Sequence, residues 1–409
     1  MSFNISAQPS PLFSVPPILE SIAATGAALI ASPNEASRTA LIAQARALIT
    51  TLETPIEAIT RMAWAEPTRY AAVHIAIDLK LFTHLDATIP KTTVELAALT
   101  GSSPNLLDRL LRHLAAMSVI NEVGISSFTQ TRLSHALTVP YYRDAIPFCY
   151  DCAGPSILSL PQYFAETGYK SPTENLNGPF QFAHKTALSS WEWGRERKEI
   201  GKAFNNHMAG YRIGRSSWMD ASVYPVKERL LKGLKTDEKA VLLVDVGGGI
   251  GRDVSEFRSK FPGVKGRLIL QDQFDLIKTI KNKLDGIEPM GHDFFQPQTI
   301  KGARGYYLHS VLHDWPDDSC RMILRNIIEA MEPGYSKILI NENVIPDVGA
   351  SWKATALDLY MMSLASSAER TEKQWRDLLA SAGLRVTGIW NDDPGTESLI
   401  EAVLEREKL

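Results

Sequence analysis

The sequence has few cysteines, and their spacing does not suggest a covalent framework. Only 3 of its 409 residues are cysteine. An odd and sparse set of thiols favours a reducing, cytoplasmic location over a disulfide-rich secreted one. Cys149 and Cys152 have the spacing of a redox or zinc pair, but neither a thioredoxin-like pattern nor a second ligand pair lies nearby. Two free thiols are therefore expected.

Long apolar runs and an excess of positive charge are also missing. The longest apolar stretches, such as residues 22–31, are too short to span a bilayer, so no membrane association is expected. The net charge of −3 provides no basic surface for nucleic acid or anionic lipid. What is present is an ordinary globular composition, with 44% hydrophobic residues, in a chain long enough for two domains.

Patterns along the chain divide it into four segments. Residues 1–35 begin rich in Pro and Ser and predict a flexible N-terminal arm. Residues 36–140 show helical apolar spacing and then a helix–turn–helix–hairpin pattern, which predicts a mainly α winged-helix domain. Residues 141–235 are aromatic-rich and predict a helical linker that contributes to a substrate pocket. Residues 236–409 alternate strands with helices, which predicts a doubly wound α/β domain whose parallel sheet ends in an antiparallel hairpin.

The winged-helix pattern raises the alternative of DNA binding. Its candidate recognition helix, residues 105–117, has only Arg109, Arg112 and His113 as cations. Contacts with phosphate normally supply most of the affinity for DNA. A role in dimerisation or as a substrate lid is therefore favoured over nucleic-acid binding.

A glycine-rich loop, VDVGGGIGRD, follows the first strand of the α/β domain and opens a helix. Gly247 and Gly249 permit a tight turn and the close approach of a ligand. Asp272 ends the next strand, where a carboxylate can accept both hydroxyls of an adenosine ribose. Asp245, just before the glycines, suits an ammonium or a sulfonium better than a pyrophosphate. The loop therefore favours S-adenosylmethionine over NAD or FAD.

Asp293 and Phe294 follow the predicted third strand of this domain, in the segment HDFFQP. A carboxylate there can accept a hydrogen bond from the adenine amino group, and the neighbouring ring can cover the adenine face. The pair extends the predicted cofactor site.

One histidine and two acids form the predicted catalytic cluster. His313, in YYLHSVLHDWPDD, lies at the carboxyl end of a strand, where ligands bind open α/β sheets. Glu342 ends a later strand and Glu369 precedes a helix near the same edge. An imidazole held by two carboxylates is a suitable general base, because the acids orient the ring and stabilise the imidazolium. No cluster with metal-ligand spacing is apparent, so no metal is expected.

Together, the motifs VDVGGGIG, GHDFF, YYLHSVLHDWPDD, NENVIP and ERT resemble the fungal and plant small-molecule O-methyltransferases, from about Thr54 to the C-terminus. The resemblance implies a Rossmann-like S-adenosylmethionine domain, an N-terminal winged-helix domain for homodimerisation and metal-independent chemistry. It assigns the base to His313, with flanking Glu342 and Glu369. It assigns cofactor binding to Gly247, Gly249, Asp272, Asp293 and Phe294, and the residue pattern adds Asp245 to the same site.

The resemblance also implies a pocket for a small aromatic or polyketide-like acceptor. Met208, in FNNHM, matches a position that family members use to hold an aromatic acceptor, and Asp314, beside the base, is assigned to the same pocket. His309 stands where plant members often carry lysine, so it is not assigned to the cofactor.

Two reactions on this scaffold stay open. In methyl transfer, His313 deprotonates a phenol or enol, and the oxygen then attacks the sulfonium methyl. Some fungal relatives instead catalyse pericyclic reactions or dehydrations with the cofactor bound but not consumed. At least one of them has arginine in place of the base and a histidine in the segment matching residues 145–155. This chain keeps His313 and has no histidine in that segment, which favours methyl transfer. The intact catalytic cluster also argues against a non-catalytic metabolite-binding regulator.

Overall fold

A computed structural model describes residues 12–211, 213–237, 239–280, 284–392 and 396–405. The chain forms two compact units, residues 1–146 and 147–409. The boundary between the units, at residue 146, lies close to the predicted end of the winged-helix domain at residue 140. The predicted linker, residues 141–235, falls almost wholly in the second unit and is not a separate segment. Its Phe148, Phe180 and Ala203 share a buried cluster with Met361 and Leu364, which explains why it joins the α/β domain.

The first unit begins with a helical pair, α1 (Val15–Ala31) and α2 (Glu35–Leu52). The prediction of a flexible arm over residues 1–35 is therefore wrong from Val15 onward, and residues 1–11 lie outside the described part. Two prolines occupy the first turn of α1, where the helix needs no N–H donor, and the Ala- and Leu-rich stretch that follows favours a helix. Gln44 of α2 donates hydrogen bonds to the hydroxyls of Ser21 and Thr25 of α1.

Short helices and a small antiparallel sheet make up the rest of this unit. The helices are α3 (Pro55–Thr60), α4 (Glu66–Asp78), α5 (Leu81–His84), α6 (Thr93–Thr100), α7 (Pro104–Ala116), α8 (Arg132–Ala136) and α9 (Pro140–Arg143), with a π-helical turn at Arg61–Ala65. The short helix α10 (Ala145–Phe148) contains the boundary at residue 146. The strands β1 (Lys91–Thr92), β2 (Ile120–Gly124) and β3 (Ser127–Gln130) pair in the order β1-β3-β2. The predicted helix–turn–helix and hairpin are confirmed, whereas β1 was not predicted.

The second unit contains nine further helices in the described residues. They are α11 (Gly154–Thr167), α12 (Pro179–His184), α13 (Ser190–Glu196), α14 (Lys198–Tyr211), α15 (Arg252–Lys260), α16 (Phe274–Ile280), α17 (Asp317–Ile328), α18 (Trp352–Ala365) and α19 (Glu372–Ser381). Single π-helical turns lie at Cys149–Ala153 and Lys227–Leu231, and a 3-10 turn at Leu312–Asp314. None of the described helices is long and apolar enough to cross a membrane.

A seven-stranded sheet forms the centre of this unit. Its strands are β4 (Val241–Val246), β5 (Arg267–Asp272), β6 (Glu288–Gly291), β7 (Gly305–His309), β8 (Lys337–Glu342), β11 (Leu384–Trp390) and β12 (Ser398–Leu404), in the order β11-β12-β8-β7-β4-β5-β6. The strands β4 to β8 run parallel, and β12 is antiparallel to both of its neighbours. The predicted parallel sheet and edge hairpin are confirmed. The loop of the hairpin lies partly outside the described residues.

The sheet is buried on both faces because its strands are almost continuously apolar, as parallel strands require. Leu339 and Ile340 of β8 show the alternation, since they pack into opposite hydrophobic layers. The chain order reverses between β4 and β7, which opens a crevice at the carboxyl ends of the strands. This crevice is where the candidate site lies.

A second, two-stranded parallel pair links two parts of the site. It consists of β9 (Val344–Ile345) and β10 (Arg370–Thr371), with Arg370 opposite Val344. Thr371 also caps α19. Its hydroxyl oxygen accepts a hydrogen bond from the N–H of Gln374, and the side-chain oxygen of Gln374 accepts one from the N–H of Thr371. This predicted capping box and the strand pair hold Glu369 beside the end of β8.

Candidate active site

The loop after β4 forms an open cradle. Gly247 and Gly249 have φ angles of 73° and 60°, a region that favours glycine. A Cβ at Gly249 would meet no atom within 4 Å, so this glycine faces open space. A Cβ at Gly247 would lie 2.8 Å from Cγ2 of Val311 and is excluded. The bare backbone leaves room for a ligand at this point.

Asp272 is fixed against the same loop. Its Oδ2 accepts from the N–H of Gly249 at 2.8 Å, and its Oδ1 accepts from the N–H of Gln273 at 2.7 Å. Burial raises the pKa of this carboxyl group. A carboxylate has about four lone-pair positions, and these contacts use two of them. The remaining positions fit the two hydroxyls of a ribose.

Asp245 lies directly beneath the glycines. A Cβ at Gly248 would come within 2.4 Å of its Cγ. Neither carboxylate oxygen makes a hydrogen bond of normal geometry to a described residue. Burial, and next the charge of Asp253, raise the pKa of Asp245 well above its ordinary value. A buried carboxylate whose oxygens make no hydrogen bond of normal geometry is costly, and a cationic group bound over the loop would offset that cost.

Asp293 and Phe294, which are predicted to contact the adenine, lie near the glycine loop. The half-buried ring of Phe294 approaches Gly247, because a Cβ there would lie 3.8 Å from the ring. Asp293 is exposed, and its Oδ1 accepts from the N–H of Phe295 at 3.0 Å. The glycine loop, the orphaned Asp245 carboxylate and Asp272 therefore fit a ligand with a cationic end and a ribose, as S-adenosylmethionine has.

His313, Glu342 and Glu369 come together as predicted. The Nδ1 of His313 lies 2.7 Å from Oε1 of Glu369 and 3.9 Å from Oε2 of Glu342. On the other side of the ring, Nε2 lies 3.4 Å from Oδ1 of Asp314. Because the carboxylate of Glu369 accepts at Nδ1, that nitrogen carries the proton in the neutral ring. The Nε2 atom is then the one that can accept a proton.

Glu342 holds the backbone of the catalytic turn more closely than the imidazole. Its Oε1 accepts from the N–H groups of Val311 and Leu312, both at 2.9 Å, and of His313 at 3.3 Å. Burial raises the pKa of this carboxyl group. The sequence predicts an acid at this place but not that it binds three successive backbone donors.

Arg370 holds the carbonyl side of the same turn and was not predicted. Its guanidinium donates to the carbonyls of Leu312 at 3.1 Å and Trp315 at 3.0 Å, and it pairs with Asp317 at 2.8 Å. The motif ERT contains this residue, but its partners are backbone carbonyls, which leave no signal in a sequence. The turn that carries His313 is thus fixed from both sides.

The acids around His313 favour its charged form. Burial lowers the pKa of the imidazole, but the carboxylates of Glu342, Asp314 and Glu369 outweigh burial and raise it well above the ordinary value. Burial raises the pKa of Asp314 to about 7. The cluster therefore stabilises the imidazolium, which is the product of proton transfer to the ring.

The same three side chains also offer one ligand atom each within 4.8 Å of one another, a spacing that a metal ion could use. In the described structure, however, Nδ1 of His313 and Glu369 share a hydrogen bond, and one oxygen of Glu342 is engaged by backbone donors. The absence of a catalytic metal stays a prediction.

A second histidine, His309, lies between two carboxylates, and the sequence analysis did not predict this structural role. The Nδ1 of His309 lies 2.7 Å from Oδ2 of Asp253, and its Nε2 lies 3.2 Å from Oε2 of Glu397. Burial lowers the pKa of His309, but the two carboxylates raise it to about 10. The charged ring thus connects α15 to the start of β12. The sequence distance between His309 and Glu397 hides this contact.

An aromatic cleft of about 380 Å³ lies between α14 and α18, and its lining includes His207, Tyr211, Arg215, Asn343, Trp352 and Tyr360. Met208 is half-buried on α14 beside His207 but is not among the lining residues, and Asp314 contacts the imidazole of His313 instead. The pocket roles of Met208 and Asp314 stay predictions.

Cys149 lines the cleft and Cys152 is buried, and both are free thiols as expected.

Comparisons with known proteins agree with the fold and with S-adenosylmethionine as the cofactor. A family profile for an O-methyltransferase domain matches residues 179–385, and one for the O-methyltransferase dimerisation domain matches residues 69–140. The O-methyltransferase mpaG of Penicillium brevicompactum is 41% identical over 90% of this chain and 93% of its own. Demethylsterigmatocystin 6-O-methyltransferase of Aspergillus flavus is 38% identical over 83% of this chain and 86% of its own.

Two solved structures are similar over almost the whole chain. One is described as a pericyclic reaction enzyme (29% identity, TM-score 0.85, 97% of this chain and 100% of that one). The other is LepI in complex with S-adenosylmethionine (30% identity, TM-score 0.85, 95% and 100%). The chain belongs to the S-adenosylmethionine-dependent O-methyltransferase family of fungal secondary metabolism.

Proposed function

We propose that this protein methylates a phenolic or enolic hydroxyl of a small polyketide-like metabolite, with His313 as the general base. The observation that carries the proposal is the His313 ring, held at Nδ1 by Glu369 at 2.7 Å, on a turn beside the cofactor cradle. The relative named demethylsterigmatocystin 6-O-methyltransferase supports an oxygen of a small metabolite as the methyl acceptor.

The residues of this chain would divide the work as follows. Bound S-adenosylmethionine supplies a methyl group that is already electrophilic. The glycine loop and Asp272 orient the cofactor, and Asp245 balances its positive end. Nε2 of His313 takes the proton of the acceptor hydroxyl, while Glu369 keeps Nδ1–H in place and stabilises the resulting imidazolium.

A pericyclase or dehydratase in fungal natural-product biosynthesis, with the cofactor bound but not consumed, is the second candidate. The similarity to a pericyclic reaction enzyme over 97% of this chain favours it. Against it stand the imidazole at position 313 and the lack of any histidine in residues 145–155. Both features support methyl transfer.

The decisive experiment separates these two reactions by the fate of the cofactor. The purified protein is incubated with methyl-labelled S-adenosylmethionine and a panel of phenols and enolic polyketides. We expect labelled product and one S-adenosylhomocysteine for each methyl transferred. An acceptor converted to an isomer or a dehydrated product, without label and without S-adenosylhomocysteine, would replace methyl transfer by the second candidate.

We also propose that two copies of the chain pair through the first unit. A surface groove there is lined by Ile56 and Trp64, and the neighbouring Met62 is also exposed. Trp64 leaves 72% of its surface exposed in the single chain, and such apolar patches mark protein interfaces.

Trp64→Glu should therefore change the mass measured by light scattering from that of two chains to that of one. Ile125→Glu is the matched control, since Ile125 is fully exposed on the β2–β3 turn and outside the groove. A two-chain mass that survives Trp64→Glu, or a wild-type protein with the mass of one chain, would contradict this interface.

A further inference from the structure

The described lining of the aromatic cleft between α14 and α18 carries positive charge, which a neutral phenol does not require. Tyr211, Trp352 and Tyr360 contribute its aromatic surface. Arg215 and Lys353 contribute two cations, and none of the described lining residues is acidic. Such a lining fits a flat molecule that carries negative charge.

The two cations are not equivalent. The guanidinium of Arg215 stacks 3.9 Å above the ring of Tyr211 and lies 3.8 Å from Oε1 of Glu397, so its charge is partly balanced. Lys353 is exposed on the first turn of α18 and makes no ion pair with any residue in the described ranges. The uncompensated positive charge of the cleft therefore lies at Lys353.

The cleft adjoins the catalytic cluster. Asn343 lines it and directly follows Glu342. The helix α18, which forms one wall, also carries Asp358, whose Oδ1 accepts from the N–H of Glu369 at 2.9 Å. The cleft thus borders the chain segment that follows Glu342, and its α18 wall contacts the backbone of Glu369.

We propose that the acceptor is an anion, namely a hydroxylated aromatic compound that carries a carboxylate, and that this carboxylate pairs with Lys353 while the ring packs between the aromatic walls. The inference rests on the proposed function, because it describes the second end of the methyl acceptor. It makes Lys353 a residue that determines specificity and leaves the chemistry at His313 unchanged.

The test compares carboxylic acids with their methyl esters. The probes are hydroxyphenylpropanoic acid, hydroxynaphthoic acid and a hydroxyxanthone carboxylic acid, each beside its own ester. Their dissociation constants are measured by calorimetry on protein loaded with S-adenosylhomocysteine, so that no methyl transfer is needed. Because an exposed ion pair contributes up to about 1 kcal/mol, at least one acid should bind about fivefold more tightly than its ester.

Lys353→Glu should reverse this preference, so that the ester binds more tightly than the acid. The variant should fold, because position 353 is exposed and an acid is favourable in the first turn of a helix. Lys202→Glu is the matched control: Lys202 is exposed on α14 but is absent from the cleft lining, and its variant should keep the wild-type ratio.

The preference for acids over esters and the transfer of the methyl group can each fail without the other. If no pair shows tighter binding of the acid, or if Lys353→Glu and Lys202→Glu give the same ratio, the anionic acceptor is overturned, even where the esters are methylated. If the acids bind preferentially and lose that preference in Lys353→Glu, the inference holds, even where the chemistry at His313 proves to be other than methyl transfer.

Discussion

His313→Ala should lower the rate of methyl transfer by about a thousandfold while the protein still binds its cofactor. A positioned general base contributes roughly two to four powers of ten to a rate. The ring contacts Glu369 and Asp314, and none of the contacts that fix the glycine loop or Asp272 involves it. The affinity for S-adenosylhomocysteine, measured by calorimetry, should therefore stay within about twofold of wild type, since the described contacts of the glycine loop and Asp272 are kept.

The exposed His135 provides a matched control, because His135→Ala removes the same side chain from the surface of the first unit. Its turnover should equal that of the wild type. Turnover by His313→Ala near the wild-type rate would show that another group takes the proton. Loss of cofactor binding in the same variant would show that the imidazole is part of the cofactor site instead.

The pH dependence of the rate gives an independent readout of the same assignment. His313 must be neutral to accept a proton, and its neighbouring carboxylates raise its pKa well above the ordinary value. The value of kcat/KM should therefore rise with pH, with a midpoint above that of free histidine. In Glu369→Gln the imidazole loses a negative partner, so this rising limb should move to lower pH. A limb that stays in place would indicate that it belongs to another group.

The proximity of Glu342 and His313 could be predicted because both lie where parallel strands of one sheet end. Parallel strands end at one edge, so Glu342 at the end of β8 and His313 after β7 had to lie near each other. The partners of these side chains could not be predicted. Glu342 binds backbone N–H groups and Arg370 binds backbone carbonyls. Every residue offers the carbonyl, and every residue except proline offers the N–H, so the sequence does not mark these partners.

The His309 network and the helix α1 show two other limits. His309 meets Glu397 only because β12 inserts beside β8 in the sheet, an order that alternating strands and helices do not determine. In α1, the Pro- and Ser-rich start indicated an unstructured arm, but prolines in the first turn are compatible with a helix. In both cases the decisive interaction is absent from the local pattern.

Asp272→Ala should weaken the binding of S-adenosylhomocysteine by about a hundredfold or more. Two ribose hydrogen bonds to a charged acceptor are lost, and such bonds contribute roughly 1.5 kcal/mol or more each. The N–H of Gly249, which Asp272 holds at 2.8 Å, also loses its partner, so the cradle becomes less ordered. Calorimetry measures the change. Asp275→Ala is the matched control, because that side chain is 95% exposed and pairs only with Lys278 in the described structure.

The loss in Asp272→Ala should appear in affinity and much less in the rate at saturation. The ribose contacts exist before the methyl moves and persist afterwards, so they stabilise the bound state and the transition state equally. The KM for S-adenosylmethionine should therefore rise about as much as the dissociation constant, with kcat within a few-fold of wild type. Unchanged affinity would remove Asp272 from the cofactor site. A fall in kcat as large as the rise in KM would mean that this carboxylate also aligns the reacting methyl group.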